Sequence, residues 1–311
     1  MNFKVLVSAP PILPHIDSYS ELCSSKGIEL FKPDFEVIES LNEEELIKLL
    51  KEADGILCGD DEINARVLQQ SKNLKIISKW GTGIDSIDSN EAERLGIKVS
   101  RVIDVFADPL SDTVLAYILM LSRKILEKDV VVRENNWSKI SSYTLSEKVL
   151  GIVGLGHIGS ELARKAISLG MKVLYYDTRD IESDVKGIRK VNFDYLLKNS
   201  DFISLHCDLN DSSKHMFSMN EFKIMKSDSI IINTARGSII NESDLIIALQ
   251  DKIISGACLD VFEIEPLEER SPLKDLDNVF LSPHNSNASP SVFKKVDMQA
   301  LENIFQGLGV D

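Results

Sequence analysis

The 311-residue sequence has no basic surplus, no long apolar run and no closely spaced cysteines, and it lacks repeats and low-complexity stretches. Lysine and arginine number 35 against 49 acidic residues, which gives a net charge of −14. A nucleic-acid binder needs a basic face to meet phosphates, and anionic membranes attract basic segments, so neither partner is expected. The most apolar run, residues 114–121, falls far short of the roughly 20 residues that span a bilayer, and Arg123 and Lys124 follow closely. The opening stretch NFKVLVSA lacks the basic region and long apolar run of a signal peptide and reads as a first buried strand. The four cysteines, Cys23, Cys58, Cys207 and Cys258, are scattered, with no C-x-x-C pair. They read as reduced thiols of a cytoplasmic protein, with neither a disulfide framework nor a metal site expected.

What remains is an ordinary folded composition, 43 % apolar and 27 % charged. The length points to about two domains and supports a sizeable core. Short apolar strands are expected at 4–7, 55–58, 75–78, 149–153, 173–176, 202–205, 229–233, 256–260 and 279–282, separated by amphipathic helical stretches. That alternation predicts an α/β fold with parallel sheets and helices on both faces. The acidic run after Asn42 reads as a capped helix start rather than a cation site. Boundary candidates lie near Ser100, where a further strand ends, and near Asn285, with a spine helix from about Leu110 to residue 135.

The stretch VLGIVGLGHIGSELARKAISLG carries the most information. A strand runs straight into Gly154, Gly156 and Gly159, a helical pattern follows, and the next strand ends in Asp177. In a dinucleotide site Gly154 makes the tight turn, Gly156 lets the backbone approach a pyrophosphate, and Gly159 lets the helix pack on the strand. The helix N-terminus offers N–H groups and a positive dipole end to the phosphates, and His157 and Ile158 lie at that turn. Asp177 stands where a carboxylate accepts hydrogen bonds from ribose hydroxyls, which favours NAD over NADP. Arg179 nearby is a possible holder of a 2′-phosphate. Alone, a G-x-G-x-x-G is weak; the strand, helix and acid in register with it make a bare turn a small residual.

Downstream, NTARGSIINE, LDVFEIEP and LSPHNSNAS contribute Arg236, Glu265 and His284, each just past a strand end. Taken singly, each reads as structural: a surface ion pair, a solvated loop acid, a hydrogen-bonded strand-end histidine. Together they supply a planar cation, an acid and a proton donor. The order and spacing of KWGTGIDSIDSNEAERLGIKV, VLGIVGLGHIG with Asp177, the FKIMKSDS…EIEP block and LSPH resemble the D-isomer-specific 2-hydroxyacid dehydrogenase family over nearly the whole chain. That group includes D-3-phosphoglycerate dehydrogenase and D-lactate dehydrogenase.

The resemblance implies two doubly wound parallel-sheet domains. A Rossmann-type NAD domain, 100–284, is inserted into a discontinuous flavodoxin-like substrate domain, 1–99 plus 285–311. It implies a hydride exchanged between NAD and a D-2-hydroxy acid/2-oxo acid pair, and a homodimer formed through the cofactor domain and its long helix. Arg236 then holds the substrate carboxylate and polarises the carbonyl, His284 gives or takes the proton, and Glu265 orients the imidazole and raises its pKa. Thr234, Ala235 and Asp260 fall at cofactor-contacting positions, Asp260 toward the nicotinamide carboxamide. The backbone of Thr82 and Gly83 falls at the substrate carboxylate, and Thr113 near the nicotinamide. No metal is required.

Some residues depart from the pattern. Phosphoglycerate dehydrogenases usually carry an Arg-Ser pair after the strand at 55–58; here stand Gly59, Asp60 and Asp61. Two acids there are expected to repel a substrate phosphate. No regulatory domain, and so no serine control, is expected after Asp311. Asn285, Ser286 and Asn287 replace the usual glycine-containing loop after the histidine. The alternatives are an NAD(H)-sensing co-repressor-like protein, phosphoglycerate dehydrogenase proper, or oxidation of formate or phosphite on the same scaffold.

Overall fold

The computed structural model describes residues 3–181 and 183–310. The chain forms two compact units, one up to Val105 together with the stretch from Ser289 onward, the other Phe106–Ala288. These divisions fall a few residues beyond the boundaries expected at 99/100 and 284/285.

The first unit holds strands β1 (Phe3–Val7), β2 (Ile28–Phe31), β3 (Gly55–Cys58), β4 (Ile76–Lys79) and β5 (Lys98–Arg101). They form one parallel sheet in the order β2-β1-β3-β4-β5. Its central strands β3 and β4 are buried at every residue, as strands covered on both faces must be. Leu6, Ile56 and Ile77 share a core with Leu46, Leu50, Val67 and Leu68 from the flanking helices. The helix Glu43–Leu49 begins as the sequence predicts. The Asn42 side chain accepts the Glu45 N–H, and Glu45 in turn accepts the Asn42 N–H, a reciprocal cap.

The second unit holds β6 (Val149–Val153), β7 (Lys172–Tyr176), β8 (Ile188–Lys190), β9 (Phe202–Leu205), β10 (Ile230–Asn233), β11 (Gly256–Leu259) and β12 (Val279–Leu281). All pair in parallel, in the order β12-β11-β10-β9-β6-β7-β8. The order reverses between β6 and β9, the switch point at which doubly wound sheets bind ligands. One face of the sheet is covered by Val114, Leu115 and Ile118 and by Leu162, Ala163 and Ala166 of two helices. The other is covered by Leu196, Phe222, Leu245 and Leu249. Complete burial of one such leucine contributes about 2 kcal/mol.

The sequence pattern missed β2 and β8. Both are edge strands, and β8 (Ile-Arg-Lys) has no apolar run to betray it. The expected single spine helix is also corrected. Helix Ala107–Arg123 stops where Lys124 turns left-handed, at φ 49°, and a second helix, Ile125–Arg133, buries none of its residues. Residues 125–133 thus have no buried stripe to hold them in line with the first helix. No helix among the described residues is long and apolar enough to cross a membrane.

Candidate active site

The glycine turn lies at the end of β6. Gly154 has φ +93°, and its N–H donates to the Tyr176 carbonyl at 2.9 Å. A Cβ there would lie 2.7 Å from the His206 carbonyl oxygen, so the position admits only glycine. Gly156 precedes helix His157–Ser168, and a Cβ on it would meet nothing within 4 Å. Packing therefore does not require glycine at 156, and the open space suits a close ligand. Gly159 differs again: its Cβ would press on the Gly154 carbonyl and lie 3.2 Å from Ile152. No side chain caps this helix and no acid stands in its first turn, which suits a phosphate.

Asp177 closes the turn from the end of β7. It is buried, accepts the Leu155 N–H at 2.8 Å and the Arg179 N–H at 2.9 Å, and pairs with the Arg179 guanidinium at 3.1 Å. Burial works against its charge, but the Arg179 side chain and the two N–H groups outweigh burial and hold the carboxyl below its ordinary range. Arg179 therefore folds back onto Asp177 in this chain.

Arg236, Glu265 and His284 follow β10, β11 and β12, three neighbouring strands. Asn233 shapes the first segment: its side chain accepts the Ala235 N–H at 3.0 Å and donates to the Arg236 carbonyl at 2.8 Å. Sequence reasoning overlooked Asn233, although an asparagine at a strand end is a turn signal. The Arg236 guanidinium donates to the Ala235 carbonyl at 3.0 Å. The buried Thr234 hydroxyl has no hydrogen-bond partner among the described residues. An orphaned donor beside the glycine turn's sheet edge fits a site completed by a polar ligand.

His284 and Glu265 are in direct contact, with Nδ1 2.8 Å from Oε2. The other Glu265 oxygen accepts the Phe262 N–H at 2.8 Å, which fixes the carboxylate. A carboxylate only accepts, so the imidazole carries its proton on Nδ1 and directs Nε2 away from the glutamate. Glu263, the neighbouring acid, pairs instead with His215 at 2.6 Å. His284 itself stands at φ +49°, an unusual conformation for a non-glycine residue. Asp260 holds it there: its carbonyl accepts the His284 N–H at 2.8 Å, and its carboxylate accepts those of Asn285 and Ser286, both at 2.9 Å. Both carboxylate oxygens of Asp260 are thus engaged in shaping the histidine loop, a duty the sequence did not reveal. Thr113 reaches the same loop through the Ser286 carbonyl at 3.3 Å.

In the first unit, Thr82 and Gly83 lie in the turn after β4. The turn is braced by the Val102 N–H on the Gly81 carbonyl at 3.0 Å and by Arg101 on the Thr82 carbonyl at 3.1 Å. The acids after β3 need correction. Asp61 is fully buried and accepts the Ser8 hydroxyl and the Leu41 and Gly59 N–H groups at 2.7–2.9 Å. Burial nevertheless pushes its carboxyl up. Asp60 pairs at 2.6 Å with Lys79, itself buried. One acid is structural and the other is neutralised, so the pair does not form the phosphate-repelling patch the sequence suggested.

Residues 115–286 match the family described as D-isomer specific 2-hydroxyacid dehydrogenase, NAD binding domain. The chain belongs to that family. A hydroxypyruvate reductase of Thermotoga maritima is 36 % identical over 289 residues, 90 % of this chain and 93 % of the relative. A glyoxylate reductase of Thermococcus litoralis is 40 % identical over 256 residues, 78 % and 77 % of the two chains. Among solved structures, the D-lactate dehydrogenase of Aquifex aeolicus, complexed with NAD and lactic acid, aligns with a TM-score of 0.86 at 26 % identity, covering 98 % of this chain and 96 % of that one. The chain is accordingly an NAD-dependent oxidoreductase of the D-2-hydroxy acid class.

Proposed function

We propose that this dehydrogenase interconverts small, unphosphorylated 2-oxo acids of the glyoxylate and hydroxypyruvate kind with their D-2-hydroxy acids. The His284–Glu265 pair at 2.8 Å, on strand ends next to that of Arg236, carries the reading. The names of the relatives, hydroxypyruvate and glyoxylate reductases, support the substrate class. NADH, when bound, supplies the hydride. Gly154, Gly156, His157, Ile158 and Gly159 line its pyrophosphate, Asp177 its ribose, and Thr234, Ala235 and Asp260 its nicotinamide end. The unit ending at Val105 serves the substrate through the N–H groups of Thr82 and Gly83.

Arg236 pairs with the substrate carboxylate and draws charge toward the carbonyl oxygen. As negative charge builds on that oxygen, His284 Nε2 delivers a proton. The Glu265 carboxylate stabilises the imidazolium before transfer and keeps the ring in place after it. In oxidation the same nitrogen removes the hydroxyl proton.

The protein acts as a homodimer. Ile125, Leu126, Val130, Val132 and Trp137 are all exposed, on a helix with no buried residue and the segment after it, and exposed apolar surface of this kind marks an interface. A cytoplasmic location suits the four free thiols: burial pushes Cys23, Cys58, Cys207 and Cys258 up, which leaves them unreactive.

The test is NADH consumption with glyoxylate, hydroxypyruvate, pyruvate and 3-phosphohydroxypyruvate, alongside Arg236→Ala, His284→Ala and Glu265→Gln. Turnover is expected with the first two above all, lost in Arg236→Ala and His284→Ala while NADH still binds. Preference for the phosphorylated acid would refute the substrate class, and full activity in His284→Ala would refute the mechanism.

A further inference from the structure

The helix Pro290–Leu308 buries one face, and amid Val296, Ala300 and Leu301 that face contains Asp297, 1 % exposed. A carboxylate in such a place costs several kcal/mol unless donors surround it. Three do. Trp80 Nε1 donates to one oxygen at 2.7 Å; the Tyr19 hydroxyl and His15 Nε2 lie 2.9 and 2.7 Å from the other. Burial and the Asp297 contact push the Tyr19 hydroxyl up to about 12, so it remains a donor. Phe293, one helical turn earlier, meets the Trp80 ring edge-on at 5.1 Å. An apolar residue at 297 would pack this face without the desolvation cost, so the acid is there for what it orients.

Trp80 immediately precedes Gly81, Thr82 and Gly83. Its own N–H is tied to the Cys58 carbonyl at 2.8 Å. The Gly81 and Thr82 carbonyls are both engaged within this unit, by the Val102 N–H and by Arg101. With the indole gripped at one end and the carbonyls at the other, the turn is held in one shape.

We infer that Asp297 is a positioning residue: through Trp80 it fixes the 81–83 turn in the form that receives the substrate carboxylate. The inference rests on the proposed carboxylate role of that turn. Asp297 touches neither substrate nor cofactor in this role. Its loss therefore weakens binding of every 2-oxo acid alike, because the turn meets the group they share.

The experiment measures steady-state kinetics of wild type, Asp297→Asn, Trp80→Phe and the double variant with glyoxylate, hydroxypyruvate and pyruvate. KM for each acid is expected to rise by a similar factor, about tenfold or more, since an ångström of misplacement has effects of that order. kcat and the KM for NADH stay within about twofold. The double variant is no worse than Trp80→Phe alone, because both changes break one linkage. Trp80 emission shifts in Asp297→Asn, with Trp137 common to both proteins. Unchanged KM in both single variants would overturn the inference, as would a rise confined to one acid or a fall in kcat alone. Thr82→Pro, which removes one N–H of the turn itself, separates these outcomes from failure of the carboxylate reading: KM raised there but unchanged in the Asp297 and Trp80 variants overturns only the positioning role, whereas KM unchanged in all of them overturns the carboxylate role of the turn as well.

Discussion

Gly154 and Gly156 stand two residues apart in one turn, yet the structure assigns their glycines different causes, and alanine at each position separates them. At 154 the backbone has φ +93° and a Cβ would lie 2.7 Å from the His206 carbonyl oxygen and the Cys207 nitrogen. The left-handed conformation costs an alanine about 1 kcal/mol, and the crowding adds about 1–3 kcal/mol. The sum, about 2–4 kcal/mol, lowers the melting temperature of a unit this size by about 5–15 °C. At 156 a Cβ meets nothing within 4 Å and φ is negative, so Gly156→Ala leaves ligand-free stability within about 0.5 kcal/mol. Its methyl group instead occupies the space through which the backbone approaches a pyrophosphate. NADH affinity then falls by about tenfold or more, which corresponds to about 1.4 kcal/mol. Thermal unfolding without ligand, followed by NADH titration by fluorescence, reads both quantities. Wild-type NADH affinity in Gly156→Ala would refute the assignment of this turn to the pyrophosphate. A melting temperature lowered as far as that of Gly154→Ala would refute the packing argument.

Other predictions follow from single contacts. Asp177→Ala releases Arg179 from its ion pair, and KM for NADPH is expected to fall at least about tenfold relative to NADH; an unchanged ratio would show that neither residue reads the ribose. His206 has a buried Nδ1 without a hydrogen-bond partner among the described residues, and burial lowers its pKa from 6.5 to about 4. The unfolded chain therefore binds a proton between those values that the folded chain does not, so stability declines as pH falls from 6.5 toward 4. Between pH 7 and 4.5 wild type should lose about 2.5 kcal/mol more than His206→Asn in urea unfolding; equal losses would count against it. Leu126→Glu with Val130→Glu should convert the dimer to monomer in light scattering, and a wild type already monomeric would remove the interface proposal.

The glycine turn, Asp177 and the strand-end residues Arg236, Glu265 and His284 were legible in the sequence because each is tied to a strand boundary. Such boundaries are marked by apolar runs that end abruptly. The strands β3, β6, β9, β10 and β11, buried at every residue or at all but the first, announced themselves in the same way. The edge strand β8 did not, because one solvated side removes the apolar run. The break at Lys124 was invisible for a related reason: residues 125–133 carry helix-forming and apolar residues but bury none of them.

By itself the sequence determined the α/β class and set the glycine turn, Asp177 and the proposed catalytic side chains at strand ends, all of which depend on neighbours close along the chain. Only the tertiary structure decided what their partners do. It tied Glu263 to His215, and it showed Asp260 bracing the histidine loop. It turned Asp61 inward and matched Asp60 with a buried lysine. It also brought Asp297 to Trp80 across more than two hundred residues. The physical reason is the same in each case. A carboxylate's role is set by the donors that surround it, and those donors come from segments whose meeting is fixed by sheet order and helix packing rather than by local sequence.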